Sequence, residues 1–535
     1  MRILFTLIIA LITLTTTAQT HYAVKLIDKS TTRVEHYINN PNEMLSQRAI
    51  TRRQTLNISL DAIDVPIDNT IIDDFKSTGA EILSTSKWLN TIFVSATDEQ
   101  KTKLEALSFV KSINSLEVIN SSKKLPFTIS NNLSKRNASV YGQSDAFVKQ
   151  IKVDFLHNKN FTGKDIQIAI FDAGFPGVNT IDALKELRDR GGILGTYNFV
   201  ENNKNVYRDN SHGTMVLSTM AVNKPYTYIG TAYDAKYWLF TTEEGSAETP
   251  QEEFNWIEAI EYSDSIGVDV INCSLGYNQY DSPFKSYTIS DIDGETSYIS
   301  RASSIGGQKG ILVVVSAGNE GNKTWKRITM PADSKNTITV GAVNSSGYMG
   351  SFSSYGPSAD GRIKPDISAM GVSVPVYDQY GNIGNHNGTS FSSPITAGSI
   401  ACLRQAFPDA QVVQIIDALH KSASDYSTPG NQTGYGIANF EGAYNILKEQ
   451  LSIENIDINR LIISPNPSSN ILHVIGIKNT KTHYSIYDTS GRLVTKGFEN
   501  LEQGIDITNI KHGYYQLKIE GNKVITLPFI KKDIQ

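Results

Sequence analysis

Cysteine is scarce in this chain: Cys273 and Cys402 are the two thiols in 535 residues. Cys273 falls inside the apolar stretch Val268 to Leu275, and Cys402 lies about three turns into a helix that starts at Ser390. Those places do not bring the two Cα atoms within the about 7 Å that a disulfide needs. Both read as buried thiols acting as small hydrophobes, and neither is a candidate nucleophile. An excess of one charge is lacking too. With 49 basic against 54 acidic residues the net charge is -5, and no sizeable basic stripe is present, so nucleic acid is not an expected partner. Past the N-terminus no apolar run approaches a membrane-spanning length. The 40% hydrophobic and 19% charged composition is that of an ordinary globular chain, long enough for more than one domain.

The one long apolar run opens the chain. MRILFTLIIALITLTTTAQ has one Arg, then an apolar core of about a dozen residues that ends in small and polar ones. It reads as a Sec signal peptide over residues 1–18, with Thr16-x-Ala18 as the cleavage site and Gln19 as the new N-terminus. A membrane anchor is the alternative, for which the stretch is short.

What the chain does have is a series of glycine-containing islands in fixed order: FDAG at Asp172, SHGTMV at His212, VVVSAGNEG at Asn319 and NGTSFSSPITAG at Ser390. The run Ile166 to Phe171 is almost wholly apolar, as a strand buried on both faces of a parallel sheet should be, and Asp172 stands at its end. Sites in open parallel sheets form beyond the carboxyl ends of the strands. His212 opens an apolar stretch, Met215 to Val222, that fits the start of a buried helix. Ser390 precedes the core-helix run Phe391 to Leu403, with Pro394 expected in the first turn, where a missing N–H costs no helical bond. A hydroxyl there sits where the helix dipole favours developing negative charge. Asn319 follows a second buried strand, Ile311 to Ser316, and its amide can donate to an oxyanion together with the Ser390 N–H. Taken singly, each island has a bland reading as a cap, turn or loop. Jointly, the order Asp, His, Ser with an Asn before the Ser matches a known triad order and makes an acyl-transfer site.

Over about residues 140 to 450 the chain resembles the subtilisin-like (subtilase) serine peptidases. The resemblance implies an α/β fold, a doubly wound parallel sheet flanked by helices. It implies Asp172 as orienting carboxylate, His212 as general acid/base, Ser390 as nucleophile and Asn319 as oxyanion donor. Ala173, Met215 and Phe391-Ser392-Ser393 depart from the usual residues beside these groups. The segment Ile271 to Gly276 resembles the strand that pairs with the substrate backbone, placing Ser274, Leu275 and Gly276 at the substrate. Ser316, Ala317 and Gly318 would line the first specificity pocket with Glu320 at its rim, and small walls leave room for a large side chain. Tight strand packing is the alternative reason for small residues there.

Residues 19–120 form a separate α+β unit. HYAVKLI, a basic helix near LSQRAITRRQTL, strands at Ile82 to Leu83 and Thr91 to Ser95, a helix Asp98 to Leu107 and FVKSI make its pattern, and Ser95 to Ile113 resembles the ending of a subtilase propeptide. Such a unit would act as an intramolecular inhibitor; an accessory domain that stays attached is the alternative. Residues 121–141 are polar and aperiodic, a processed linker, and the peptidase domain is expected over 142–450. Within it, Tyr277 to Ser297 reads as an inserted surface loop. Its Asp291-x-Asp293-Gly294-Glu295 could cup a structural Ca²⁺, with a plain solvated loop as the other reading, so no metal is assigned and no cofactor is required.

From 458 to 535 short alternating runs separated by Asn-Pro, Ser-Gly and His-Gly turns predict a small all-β sandwich. Pro465-Asn466-Pro467, Tyr487-Asp488, Gly491, Gly513-Tyr514-Tyr515 and Lys531-Lys532 resemble the sorting domain of the type IX secretion system; a carbohydrate- or surface-binding module is the rival. The expectation is a secreted or cell-surface serine endopeptidase made as a zymogen. It would act on proteins or peptides and use the type IX machinery as an export partner. A catalytically inactive surface-binding protein on the same scaffold is the other class.

Overall fold

A computed structural model describes residues 19–117, 139–245, 247–454, 461–475, 481–520 and 525–532. The expected signal peptide, and the linker up to residue 138, lie outside the described residues.

Seven parallel strands form the central sheet. In spatial order they are Ile367–Met370, Thr337–Val343, Leu312–Ser316, Val270–Cys273, Gln167–Asp172, Lys236–Thr241 and Ile193–Asn198. Side chains alternate between the faces, and the sequence shows why both are apolar. Ile168 and Ile170 pack with Val270, Leu312 and Val314 on one side, while Ala169 and Phe171 pack with Ile271, Val313 and Val315 on the other. The helices His212–Ala221 and Thr389–Ala406 cover the first face, and Gln251–Ile266 and Tyr298–Gln308 the second. The chain leaves strand Gln167–Asp172 toward one edge and later returns to its other side. The strand order therefore reverses beside Asp172, where open α/β sheets present their crevice.

The N-terminal unit is a four-stranded antiparallel sheet in the order Glu81–Ser86, Thr91–Ala96, Thr20–Leu26, Val110–Ser115. Two of its helices, Thr31–Asn39 and Asn69–Ser77, are absent from the sequence expectation; both are short and rich in polar residues. The unit docks on the helix Gln251–Ile266. Phe93 stacks on Phe254 at 4.0 Å, and Glu261 accepts from Ser86 Oγ (2.6 Å) and from the N–H groups of Lys87 and Trp88 (3.1 Å each). Beneath lies a buried ionic cluster in which Arg53 pairs with Asp64 (2.9 Å) and Asp264 (2.8 Å), and Lys309 pairs with Asp64 (2.9 Å). The chain then reaches Glu117, which bridges to Phe284.

Tyr277 to Ser297 is not a free surface loop. Tyr277, Asn278, Tyr280, Ile292 and Ser297 are buried, and the hydroxyls of Tyr280 and Tyr287 both donate to the buried Glu253. The described residues between 461 and 532 form their own sandwich. A three-stranded sheet (Ile462–Ser464, Ile471–Ile475, Ile505–Asp506) and a four-stranded one (Leu493–Asn500, Lys481–Asp488, Gly513–Glu520, Ile525–Lys531) enclose a core of Leu472, Ile486, Leu517 and Phe529. Among the described residues no helix is long and apolar enough to cross a membrane.

Candidate active site

Asp172 is the last residue of its strand and is fully buried. Its Oδ1 accepts from the Ala173 N–H at 2.8 Å, and both oxygens face His212 Nδ1, at 2.9 and 3.0 Å. His212 is the first residue of its helix, tethered through its N–H to Asn210 Oδ1 (3.0 Å). Gly213 permits this approach, since a Cβ there would lie 2.4 Å from Gly174 O and 2.7 Å from the Phe175 ring. Burial works to lower the His212 pKa, but the charge and hydrogen bond of Asp172, helped by Glu243, outweigh it and raise it above 6.5. Glu243 lies two residues past the strand next to that of Asp172, a placement the sequence reading missed.

Ser390 is the second residue of the helix Thr389–Ala406, packed against the helix that His212 opens. Its Oγ donates to Ser274 O at 3.3 Å rather than to His212 Nε2. Pro394 is not in the first turn. It is the sixth helical residue, so the N–H that would bond Ser390 O is missing, and Ser274 Oγ supplies that bond instead, at 2.9 Å. Asn272 completes the tether: its Nδ2 donates to Ser274 Oγ (3.0 Å), and its Oδ1 accepts from Ser393 Oγ (2.8 Å).

Asn319 Oδ1 accepts from the N–H (3.0 Å) and the hydroxyl (3.1 Å) of Thr389, which orients the amide and leaves Nδ2 to donate elsewhere. Thr389 was not singled out in the sequence; the signal was its place beside Ser390. Phe391, one of the departures from the usual residues, lies between two imidazoles, with ring centroids 6.0 Å from His212 and 5.9 Å from His386.

Ser274, Leu275 and Gly276 continue the strand Val270–Cys273, and Ser316, Ala317 and Gly318 end and continue its parallel neighbour, Leu312–Ser316. The two segments run side by side past the sheet. Thr329 packs against both glycines: its Oγ1 would lie 2.1 Å from a Cβ built on Gly276 and 2.8 Å from one built on Gly318. Glu320 pairs with Lys323 at 2.9 Å.

The suggested Ca²⁺ loop does not converge. Asp291 accepts from Thr288, Asp293 accepts from the N–H groups of Glu295 and Thr296, and Glu295 pairs with Lys335. Among the described residues no group of three or more His, Cys, Asp or Glu is placed to hold a metal ion. Cys273 and Cys402 are separate, buried and free, and burial pushes the Cys273 thiol up to about 12, which keeps it protonated and inert.

Three parts of the chain match known families. Residues 163–437 match the Subtilase family, 21–131 the Peptidase S8 propeptide domain of Bacteroidota, and 463–532 a secretion system C-terminal sorting domain. Subtilisin NAT of Bacillus subtilis subsp. natto is 32% identical over 311 residues, spanning 57% of this chain and 73% of that protein. A subtilisin of Bacillus pumilus is 31% identical over 300 residues, 55% of this chain and 97% of that one. In fold, the chain is similar to an epidermin leader peptide processing serine protease from Staphylococcus aureus, with a TM-score of 0.54 and 17% identity over 80% of this chain and 99% of that one. A family model matched over residues 163–437, together with subtilisins more than 30% identical that the chain covers over most of their length, shows that the chain belongs to the subtilase family and is a serine endopeptidase.

Proposed function

We propose that Ser390 is the nucleophile of an acyl-enzyme mechanism, with His212 as general base and acid, Asp172 as its orienting carboxylate, and Asn319 Nδ2 with the Ser390 N–H as oxyanion donors. The substrate backbone lies along Ser274 to Gly276. Ser390 Oγ turns from Ser274 O, gives its proton to His212 Nε2 and bonds to the scissile carbonyl carbon. The carbonyl oxygen becomes an oxyanion between Asn319 Nδ2 and the Ser390 N–H. As the tetrahedral centre collapses, the C–N bond breaks and His212 returns the proton to the leaving amine. Water then attacks the ester carbonyl while His212 takes its proton; the bond from the acyl carbon to Ser390 Oγ breaks, His212 returns the proton to Ser390 Oγ, and the acid product leaves. Asp172 holds Nδ1 and steadies the imidazolium.

The observation that carries this reading is the hold of buried Asp172 on His212 Nδ1, at 2.9 and 3.0 Å, on the helix that packs against that of Ser390. The N-terminal unit is read as an inhibitor that the enzyme cuts from itself. The signal peptide and residues 461–532 are read as the export route through the periplasm and the type IX machinery to the surface or medium. Labelling of the secreted protein with a fluorophosphonate probe tests the site, since only an activated Ser390 reacts. No labelling of correctly folded protein would leave the scaffold as an inactive binding protein.

A further inference from the structure

The N-terminal unit meets the peptidase at two places, and the second is far from the triad. Its sheet has its own core of Val24, Phe75, Ile92, Val94 and Leu104, to which residues 44–65 contribute nothing. This arm, the helix Gln47–Thr55 with its flanks, lies instead across the starts of three parallel strands. It meets Asp165 ahead of Gln167–Asp172, Gly267 to Asp269 ahead of Val270–Cys273, and Gly310 ahead of Leu312–Ser316. Asp172 and Ser274 stand at the opposite ends of those strands, of which Gln167–Asp172 is six residues, roughly 20 Å, long.

The arm caps the helix Gln251–Ile266, whose last carbonyls have no donors within the helix. The Ser46 N–H donates to Ser265 O (2.8 Å) and Arg48 Nε to Gly267 O (3.0 Å), while Arg52 donates to the Asp264 carboxylate and to Val268 O. Both guanidiniums thus sit at the negative end of the helix dipole. Two glycines shape the seat. A Cβ on Gly267 would lie 2.8 Å from Ala49 N, and one on Gly310 would lie 2.6 Å from Leu56 Cδ1. On the far side, Gln411 Nε2 donates to Leu56 O (2.6 Å), and Lys309 pairs with Asp61 (3.0 Å) and Asp64 (2.9 Å). Leu45, Ala49, Leu56 and Val65 are buried, so the arm offers a protease no accessible extended run. The helix before it, Thr31–Asn39, has no buried residue and is the easier place to cut.

We propose that this surface is a permanent seat for residues 44–65: when the N-terminal unit is cut away its sheet leaves, and the arm remains as a noncovalent second chain of the active enzyme. This rests on the reading that the enzyme cuts that unit from itself.

The test uses matured, secreted enzyme after gel filtration. The fluorophosphonate probe counts open sites, and mass spectrometry of the denatured sample identifies every peptide present. A peptide containing residues 44–65 should accompany the titrated sites in stoichiometric amount, with residues 81–115 absent. Fully titrating enzyme that carries no such peptide overturns the proposal. So does retention of the whole unit over a site the probe cannot reach, since the arm is then one part of an intact inhibitor. A second measurement does not need the enzyme's own activity: brief thermolysin digestion of the Ser390→Ala precursor should remove the sheet and leave the arm peptide on the peptidase domain through gel filtration. Loss of residues 44–65 before or together with the sheet overturns the seat. Arg52→Ala in that precursor should speed loss of the peptide by about tenfold or more, and Gln411→Ala should move it the same way; an unchanged rate in both overturns the seat as well. Retention of the arm in the digest, with no form of the wild-type protein labelled by the probe, refutes the peptidase reading alone.

Discussion

Ser274 and Ser390 hold each other by two hydrogen bonds in opposite directions: Ser390 Oγ donates to Ser274 O at 3.3 Å, and Ser274 Oγ donates to Ser390 O at 2.9 Å. The first parks the hydroxyl away from His212. The second fills the acceptor that Pro394 leaves open in the helix, so the residue just past the strand Val270–Cys273 anchors the backbone of Ser390.

Ser274→Ala should therefore destabilise the protein by about 1–3 kcal/mol, because Ser390 O and Asn272 Nδ2 both lose a buried partner. Chemical denaturation of the matured protein checks this. An unchanged midpoint would mean that water replaces the hydroxyl.

Ser390→Ala should abolish hydrolysis with the fold intact, by about 10⁶ in turnover, the loss a subtilisin shows for its nucleophile. If the enzyme removes its own N-terminal unit, this variant accumulates as the longer form that still carries residues from Gln19 onward. N-terminal sequencing decides. Normal trimming in a host without other proteases would contradict self-cleavage.

Asn319→Ala should lower turnover by about 10²–10³ with little change in substrate binding, the size seen for a subtilisin's oxyanion amide. Steady-state kinetics separate the two effects. Weakened binding at constant turnover would make Asn319 a substrate-binding residue.

Asp172→Asn removes the charge that lifts the His212 pKa above 6.5. His212 must be neutral to accept the Ser390 proton, so activity in wild type is lost as pH falls through that raised value. In the variant turnover should drop by about 10⁴ and the residual activity should persist to lower pH. A pH–rate profile with an unmoved acid limb would show that another group titrates there.

Arg53→Ala should loosen the N-terminal unit. Arg53, Asp64 and Asp264 are almost wholly buried; removing the cation leaves Asp264 with Arg52 and Asp64 with Lys309, so the loss is that of buried charge-assisted hydrogen bonds, about 1.5–3 kcal/mol. Burial works to raise the Asp64 pKa, but Arg53 and Lys309 outweigh it and hold it below 3.8. Its contribution is thus present above that pH and fades as pH falls through the depressed value. In a Ser390→Ala background, thermal melts of the precursor should show a lower Tm for Arg53→Ala at neutral pH and a smaller gap in acid. Equal Tm values at neutral pH would show that the cluster adds nothing to docking.

Much of this protein is written in local pattern. Asp172, His212, Asn319 and Ser390 are recognisable because each follows or opens an apolar run and is flanked by small residues, features that a strand end or helix start imposes on its neighbours in sequence. The parallel sheet follows from runs such as Ile168 to Phe171, apolar on both faces, and the C-terminal sandwich from period-two strands broken by turn dipeptides. The helices Thr31–Asn39 and Asn69–Ser77 were not legible, because short, polar-rich helices are held by what they pack on more than by propensity. Tyr277 to Ser297 looked like a surface loop, since nothing in its polar composition shows that Glu253 receives two of its tyrosines. Tertiary structure alone decided that Ser274, 116 residues away, takes the place of the N–H missing at Pro394, and that Thr329 packs against Gly276 and Gly318. A single sequence records the period and flanks of each element, but which side chain fills the space between two of them depends on how distant segments meet.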